Sequence, residues 1–347
     1  MNVYRCEKNP VIRTEDVAPS RPDFKVLGAF NAGVAKVGED TILLLRVAEA
    51  PVSEREDEVL VPLLDADGKV VVHHYDKSDS RYDFSDSRFV AVNGQTVMLT
   101  SISHLRVARS RDGVHFEIER EPALFPEHEL EAWGIEDPRV TQIGDTYYIT
   151  YSSASSRGVG AGLAETKDFR SFKKHGMMLA PENKDVMLFP ERINGKYVAM
   201  HRPVPKSFGA PEIWIAESPD LIHWGNHRFL MGLGEQGWDS ARMGGGAVPI
   251  RTERGWLVLY HGADSKHRYC MGAALLDLND PGIVLARSSR PFLEPEADYE
   301  VKGFFGGVVF SCGALVNGDT IRMYYGAADE VMAFADIPLE DIFSTLL

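Results

Sequence analysis

The sequence is poor in cysteine, with three cysteines in 347 residues. Cys6, Cys270 and Cys312 lie far apart and do not show the close spacing of a metal-ligand motif. An odd number of isolated cysteines argues against a disulfide framework and predicts reduced thiols. We therefore expect a cytoplasmic protein without a metal site.

Long apolar runs and an excess of positive charge are also lacking. No stretch approaches the roughly 20 apolar residues that span a membrane, and Met1–Cys6 lacks the basic-then-apolar pattern of a signal peptide. The formal net charge is −14, whereas nucleic acids and anionic membranes attract basic surfaces. We expect no nucleic-acid and no membrane partner, and the sequence leaves self-association into a homo-oligomer open.

Helical periodicity is the third absence. The apolar runs are short, rich in β-branched and aromatic residues, and interrupted by 31 glycines and 19 prolines. Only Leu339–Leu347 predicts a helical turn or two. With 44% hydrophobic residues and no low-complexity linker, the chain predicts one all-β domain over residues 1–347. The segment Glu54–Ser87 is predicted to be a long connection between the first two hairpins.

The sequence contains one prominent motif with two acids, a proline and an arginine. Glu136-Asp137-Pro138-Arg139 precedes an apolar strand that turns at Gly144-Asp145 and returns through Thr146–Tyr151. A strand entrance is a rigid place to hold a carboxylate near a substrate, and an adjacent guanidinium keeps that carboxylate ionised or oriented. Taken alone, the stretch also fits a surface hairpin with a local ion pair.

Similar hairpins recur along the whole chain. Their turn glycines follow one another at intervals of 50–63 residues, at Gly38, Gly94, Gly144, Gly195, Gly255 and Gly318. A second signature, a strand followed by an Asp-led turn and an aromatic return strand, occurs in Ala108–Phe116, Ala164–Phe172 and Ala216–Trp224. This period is typical of the blades of a β-propeller, in which equivalent residues of different repeats face one central pocket.

Basic and other donor side chains cluster on the same hairpins in an otherwise acidic protein. They are Lys184, His201, Arg202, Arg242, His261 and Tyr269. Lysine and arginine with histidine and tyrosine as further donors are typical of an anion site. The alternative is that each pairs with one of the 51 acidic side chains.

Several motifs in a fixed order resemble glycoside hydrolase family 130, which comprises β-mannoside phosphorylases and some β-mannosidases. The motifs are Phe30–Gly33 with Arg46, Glu136–Arg139, Leu188–Tyr197 with His201–Pro203, Gly255–Gly262 and Tyr325–Asp329. The resemblance covers nearly the whole chain and implies a five-bladed β-propeller. The turn glycines, by contrast, give six hairpins.

The resemblance also implies the site residues. Asp137 would be the catalytic acid, donating its proton through a hydroxyl of the bound mannose rather than directly to the glycosidic oxygen. The implied mannose-binding residues are Asn31, Arg46, Arg139 and Asp329. The implied phosphate-binding residues are Lys184, Arg202, Arg242, His261 and Tyr269. Inorganic phosphate would be the co-substrate, with no metal and no other cofactor.

The implied reaction is phosphorolysis of a β-mannoside with inversion, which gives α-mannose 1-phosphate. One carboxylate suffices, because phosphate is already a charged nucleophile, whereas an inverting hydrolase needs a second carboxylate to activate water. Three alternatives stay open: a β-mannosidase on the same scaffold, a propeller that binds carbohydrate without catalysis, and a propeller arabinofuranosidase or xylosidase that uses Asp137, Glu191 and Asp329. The sequence does not distinguish β-1,2- from β-1,4-linked mannobiose or mannooligosaccharides.

Four further features have two interpretations each. His104 and Glu136 either line the mannose site or cap a hairpin, and Trp238 with Asp239 either faces an acceptor sugar or packs in the fold. Gly244–Gly246 lacks the lysine and helix of a phosphate loop, so it indicates close strand approach.

Overall fold

The computed structural model describes residues 2–347, and its architecture is all-β, as the sequence predicts. The strands of the first half are β1 (Tyr4–Arg5), β2 (Phe24–Val37), β3 (Asp40–Pro51), β4 (Glu58–Leu64), β5 (Val70–Asp76), β6 (Phe89–Val92), β7 (Gln95–Leu99), β8 (Ile102–Ser110), β9 (Glu117–Ile118), β10 (Gly134–Ile143), β11 (Thr146–Ser155), β12 (Gly158–Thr166) and β13 (Phe172–Leu179).

The second half of the chain continues the same pattern. Its strands are β14 (Asn183–Leu188), β15 (Tyr197–Pro203), β16 (Ile213–Ser218), β17 (Gly225–Met231), β18 (Arg242–Gly245), β19 (Ile250–Thr252), β20 (Gly255–Ala263), β21 (Tyr269–Leu276), β22 (Val284–Arg287), β23 (Val309–Asn317), β24 (Thr320–Ala327) and β25 (Val331–Pro338). The α-helices are α1 (Asp298–Val301) and α2 (Leu339–Phe343), and 3-10 turns cover Thr14–Asp16 and Glu129–Glu131. Helix α2 lies where the sequence predicts a C-terminal helical turn.

The strands assemble as antiparallel units in chain order. Strands β2, β3, β8 and β9 form the first unit and β10 to β13 the second, and one parallel pair, Gly134 with Ser103, joins them into an eight-stranded sheet. Strands β14 to β17 form a separate sheet, and β18 to β22 form another. In the last sheet β1 pairs with β25, so residues from both ends of the chain share one sheet.

Five of the six predicted hairpins lie in the antiparallel units, and one does not. The turns at Gly38, Gly144, Gly195, Gly255 and Gly318 each lie in one of the five units. The hairpin at Gly94 is instead a separate two-stranded ribbon of β6 and β7. It belongs to the excursion between β3 and β8, which also contains the β4–β5 ribbon.

The Asp-led turns are formed as the sequence predicts. The side chains of Asp112, Asp168 and Asp220 each accept hydrogen bonds from backbone N–H groups two and three residues further on, at 2.8–3.0 Å. These Asx turns stabilise the bends into β9, β13 and β17.

The apolar core lies between successive units. Leu105 and Ile149 belong to a cluster between the first and second units, and further clusters join the second to the third, the third to the fourth and the fourth to the fifth. Leu45 and Phe334 belong to a cluster that joins the fifth unit back to the first. The units therefore pack in a closed cycle, which brings their first strands together.

Candidate active site

A cavity of about 140 Å³ lies where residues of all five units meet, and we call it the deep cavity. Its lining residues are Asn31, Arg46, Asp137, Lys184, Asp185, Arg202, Arg242, His261, Tyr269, Phe305, Val308, Phe310 and Asp329. They include every site residue implied by the sequence except Arg139.

Three of the polar lining residues stand at equivalent bulges in the first strands of three units. Asn31, Asp137 and Asp185 have φ angles of 47°, 49° and 56°, and each lies at a register shift in its hairpin. Asparagine and aspartate tolerate this left-handed conformation better than other residues with side chains. A bulge interrupts the alternation of side chains along a strand and redirects one of them. The same bulge geometry therefore positions all three side chains.

Asp137 is buried and held by two donors. Its Oδ1 accepts hydrogen bonds from Asn31 Nδ2 at 3.0 Å and from Arg46 Nη1 at 2.9 Å. Burial opposes ionisation, but the charges of Arg46, Lys184 and Arg139 outweigh it and lower the pKa of Asp137 below its usual value. The carboxyl is therefore ionised near neutral pH.

Asp329 lies in the same cavity and shows the opposite shift. Burial raises the pKa of Asp329 to about 6; Arg46 opposes the shift, while the charges of Asp137 and Glu136 add to it. Of these two carboxyls, Asp329 therefore has the higher pKa.

Arg46 connects the two acids of the Glu136–Arg139 motif. Its Nη2 donates to Glu136 Oε1 at 2.9 Å, and its guanidinium lies 4.7 Å from the centre of the Phe30 ring. Ser103 Oγ accepts from its Nε at 3.2 Å. The guanidinium is thus fixed in position beside Asp137.

Five donors from the third and fourth units line the deep cavity, and we call this part the anion side: Lys184, Arg202, Arg242, His261 and Tyr269. Arg242 Nη1 donates to the Tyr269 hydroxyl at 2.7 Å. Burial lowers the pKa of His261 to about 3 although Asp185 opposes the shift, so this ring is neutral. Within residues 2–347, neither His261 nitrogen nor Arg242 Nε has a hydrogen-bond partner.

Asp185 is a carboxylate in the middle of these donors. It accepts from Arg202 Nε at 2.7 Å and from Arg139 Nη2 at 3.2 Å, and it is 2% exposed. Burial raises the pKa of this carboxyl, but the charges of Arg202 and Arg139 outweigh burial and hold the pKa far below its usual value. Asp185 is permanently charged and fixes the Arg202 side chain.

The spacing from the turn glycines does not predict Asp185, because this spacing differs between repeats. Asp137 precedes Gly144 by seven residues, whereas Asp185 precedes Gly195 by ten. The available signal was the charged pair Lys184-Asp185 directly before the apolar run Val186–Phe189.

A family model described as beta-1,4-mannooligosaccharide phosphorylase, glycoside hydrolase family 130, matches residues 86–346. The chain belongs to glycoside hydrolase family 130. It is 53% identical over 350 residues to a β-1,2-mannobiose phosphorylase of Listeria innocua, covering all of this chain and 99% of the relative. A 1,2-β-oligomannan phosphorylase of a Thermoanaerobacter species is 43% identical over 244 residues, covering 70% of this chain and 80% of the relative.

A solved family 130 structure is similar along the whole chain. The Listeria innocua β-1,2-mannobiose phosphorylase in complex with β-1,2-mannobiose superposes with a TM-score of 0.97 at 52% identity, covering 99% of both chains. The order of motifs that resembled family 130 in the sequence therefore identified the family correctly.

Arg139 departs from the expectation for a mannose-binding residue. The side chain is 1% exposed and lies behind the wall of the deep cavity. It donates to the carbonyl oxygens of Asp137 at 2.9 Å and of Gly245 at 2.8 Å, besides its contact with Asp185. In this family 130 protein Arg139 links the two bulges that carry Asp137 and Asp185.

Three other candidate residues lie outside the deep cavity. Glu191 is exposed and pairs with Arg251 at 3.3 Å, so it does not join Asp137 and Asp329 in a set of three carboxylates. His104 is buried and accepts from Arg106 Nε at 3.0 Å. His201 is buried between Asn183 and His227.

Trp238 and the triple glycine both serve packing. The Trp238 indole lies over the backbone of Gly262 and Gly272, where a Cβ atom would collide with it, and its ring centre is 5.3 Å from that of Tyr260. A Cβ on Gly244 would collide with Asp185 and the His261 ring. The glycines thus allow close strand approach behind the anion side, as the sequence indicates.

Metal-binding clusters and membrane-spanning helices are both absent from the part of the chain that the structure describes. Among residues 2–347, no group of three or more His, Cys, Asp or Glu side chains is arranged to hold a metal ion. In the same range no helix has the length and apolar character needed to cross a membrane. The three cysteines are free thiols.

Proposed function

We propose that the deep cavity cleaves β-mannosides by phosphorolysis with inversion, releasing α-mannose 1-phosphate. The protein is a β-mannoside phosphorylase by its family and its relatives. The observation that carries the assignment of the site is the set of five donors, Lys184, Arg202, Arg242, His261 and Tyr269, around a small cavity that also holds a buried acid.

The charges of the deep cavity favour an anionic co-substrate. Four cationic side chains, Arg46, Lys184, Arg202 and Arg242, face three carboxyls, those of Asp137, Asp185 and Asp329. Cationic donors on the anion side offset the repulsion between phosphate and the ionised Asp137. Arg242 Nε and the one protonated ring nitrogen of the neutral His261 supply further donors for phosphate oxygens.

The sugar side would be formed by Asn31, Arg46 and Asp329, which bind the mannose, and by Asp137, the catalytic acid. Asn31 Oδ1 is buried without a hydrogen-bond partner within residues 2–347, which suits a sugar hydroxyl as donor. Arg139 is better described as a positioning residue, because its guanidinium contacts the protein rather than the cavity.

The reaction forms a bond from a phosphate oxygen to C1 of the mannose and breaks the bond from C1 to the leaving sugar oxygen. That oxygen takes a proton from a mannose hydroxyl, which in turn takes the proton of Asp137. Asp137 ends as a carboxylate that Arg46 and Asn31 already hold.

The lowered pKa of Asp137 raises the question of how the acid acquires its proton. The cations that keep Asp137 ionised include Lys184, on the anion side of the deep cavity. A bound phosphate dianion cancels part of their field and raises the pKa of Asp137. Phosphate binding would thus both bring the nucleophile and favour protonation of the acid.

Asp185 bears on the hydrolase alternative, since a β-mannosidase needs a second carboxylate as base. Asp185 is unsuited to that role because its pKa lies far below the usual value, and a carboxylate of such low pKa is a poor acceptor of a proton from water. Both of its oxygens are also occupied by Arg139 and Arg202.

We also propose a β-1,2 linkage and a five-bladed propeller. Two relatives named for β-1,2-linked substrates, one of them matching over the full length, support the linkage. Five antiparallel units whose apolar clusters form a closed cycle support the propeller, with residues 1–347 as one catalytic domain.

The experiment incubates the protein with β-1,2- and β-1,4-mannobiose, with and without phosphate. We expect α-mannose 1-phosphate, only with phosphate, and faster from the β-1,2-linked sugar. Release of free mannose at the same rate without phosphate would establish the hydrolase instead, and faster turnover of the β-1,4-linked sugar would refute the linkage.

A further inference from the structure

The anion side of the deep cavity contains a carboxylate as well as donors. Asp185 follows Lys184 in β14, lines the deep cavity and accepts hydrogen bonds from Arg202 and Arg139. An ionised carboxylate repels an anion and has no proton to donate to it. The attraction of opposite charges alone therefore does not account for a carboxylate in this position.

The charges of the anion side match a dianion. Lys184, Arg202 and Arg242 are cationic, His261 is neutral, and Asp185 is ionised because its pKa lies far below its usual value. Three cations and one carboxylate leave two positive charges. Hydrogen phosphate and sulfate are both tetrahedral dianions at neutral pH, so the charge balance by itself does not separate one from the other.

The hydrogen-bonding groups of the anion side do separate these two ions. Lysine and arginine only donate, and the Tyr269 hydroxyl, which accepts from Arg242 at 2.7 Å, has its own proton left to donate. The neutral His261 ring offers one uncharged acceptor nitrogen. Among the described residues that line the anion side, Asp185 is the charged acceptor.

Asp185 keeps the capacity to accept a further hydrogen bond. Each carboxylate oxygen has two lone pairs, and Arg139 and Arg202 take one on each oxygen. The same arginines hold the pKa of Asp185 far below that of the O–H group of hydrogen phosphate. This O–H group can therefore donate a charge-assisted hydrogen bond to Asp185 without transferring its proton.

Sulfate lacks the proton that such a hydrogen bond requires. In the same place it would direct a lone pair toward the lone pairs of Asp185. A site with a buried acceptor rejects a ligand that cannot donate to it, because the acceptor is then left unpaired. The loss of one charge-assisted hydrogen bond corresponds to roughly tenfold to a hundredfold in affinity.

We propose that Asp185 determines the anion specificity of the deep cavity by selecting tetrahedral dianions that carry an O–H group. The inference rests on the proposed function, in which the anion side binds phosphate. Phosphate and arsenate belong to the selected class. Sulfate is excluded, and so is fluorophosphate, in which fluorine replaces the O–H group of hydrogen phosphate at the same charge.

Competition calorimetry on the wild type measures this selection without turnover. Phosphate is titrated at neutral pH in the presence of arsenate, sulfate or fluorophosphate, with the ionic strength held constant by sodium chloride. We expect arsenate to bind about as tightly as phosphate, and sulfate and fluorophosphate to bind roughly tenfold to a hundredfold more weakly. Sulfate and fluorophosphate that compete as strongly as arsenate would overturn the inference.

Asp185→Asn tests whether this residue is responsible for the selection. The amide is uncharged and adds a donor, so sulfate should gain affinity and the ratio of phosphate to sulfate affinity should fall roughly tenfold or more. Glu49→Gln is the matched control, because Glu49 is also a buried carboxylate paired with an arginine, Arg106 at 3.1 Å, and lies outside the deep cavity. Its ratio should equal that of the wild type, and an unchanged ratio in Asp185→Asn would contradict the assignment.

Failure of this inference differs from failure of the proposed function. The ratio of two affinities measured on one protein does not depend on the folded fraction, and the wild-type comparison decides the matter if Asp185→Asn does not fold. A wild type that binds phosphate and sulfate equally well overturns the inference and leaves the phosphorylase assignment intact. A wild type that binds no phosphate refutes the proposed function of the deep cavity, and the inference with it.

Discussion

Each side of the deep cavity has an aspartate at a strand bulge, but the two carboxylates differ in how many arginines they pair with. Asp137 and Asp185 both stand at bulges with positive φ, and both are buried carboxylates next to arginine. Asp185 is held by two guanidinium groups, through both oxygens. Asp137 shares its one paired guanidinium, that of Arg46, with Glu136. The number of paired arginines, more than the bulge, therefore separates a fixed charge from an acid that can exchange its proton.

The largest effect that would test this comparison is on turnover. Asp137→Asn keeps the size of the side chain but removes the proton, so we expect kcat to fall by roughly two to four orders of magnitude. The thermal unfolding temperature should change little, because Arg46 retains Glu136 as its partner. Turnover near the wild-type rate would move the acid elsewhere, with Glu136 the first residue to test.

Asp185→Asn should instead lower the stability of the folded protein. The substitution leaves the buried guanidinium of Arg139 without its carboxylate partner, and breaking a buried pair in this way costs about 3–5 kcal/mol of unfolding free energy. Chemical denaturation of Asp185→Asn beside Asp137→Asn provides the measurement. If both variants unfolded at the same denaturant concentration, the proposed difference between the two carboxylates would be wrong.

A matched pair of arginine variants should distinguish the phosphate-binding side of the deep cavity from its mannose-binding side. Arg202→Ala removes a charge-assisted donor on the anion side and should raise KM for phosphate roughly tenfold to a hundredfold, from a loss of about 1.5–3 kcal/mol. Mannose binding without phosphate should stay nearly unchanged.

Arg46→Ala serves as the counterpart, with weaker mannose binding and little change in the phosphate response. Calorimetric titration of both variants with mannose and with phosphate measures all four affinities. Loss of mannose affinity in Arg202→Ala, with its phosphate response retained, would invalidate the division.

The smallest effect concerns the pH dependence of stability that arises from Asp329. Its pKa in the folded protein is about 6, above the usual value of 3.8, so the folded state binds the extra proton between these two values. The free energy of unfolding then falls as the pH rises through this window, by at most about 1.4 kcal/mol per pH unit for one proton.

Asp329→Asn has no proton to lose and should therefore gain stability relative to the wild type between pH 4 and pH 7. Denaturant unfolding of both proteins at several pH values measures the difference. A stability difference that is independent of pH would contradict the raised pKa.

Much of the fold and site followed from local sequence patterns. The turn glycines and Asp-led turns predicted the hairpins because each depends on residues that are neighbours in the chain. The ordered motifs identified family 130, and the site residues they implied line one cavity apart from Arg139. The roles of those residues and the cytoplasmic location expected from cysteine usage stay predictions.

Contacts between residues far apart in the chain determined the features that could not be predicted from local sequence patterns. The Asp137–Arg46 contact joins residues 91 positions apart, and the Asp185–Arg139 contact joins residues 46 positions apart. Such contacts determine the burial of Arg139 and the opposite pKa shifts of Asp137 and Asp329. They also place the Gly94 hairpin outside the large sheets. Turn chemistry is local and readable from the sequence, whereas the pKa of a buried carboxyl is set by every charge that the fold brings near it.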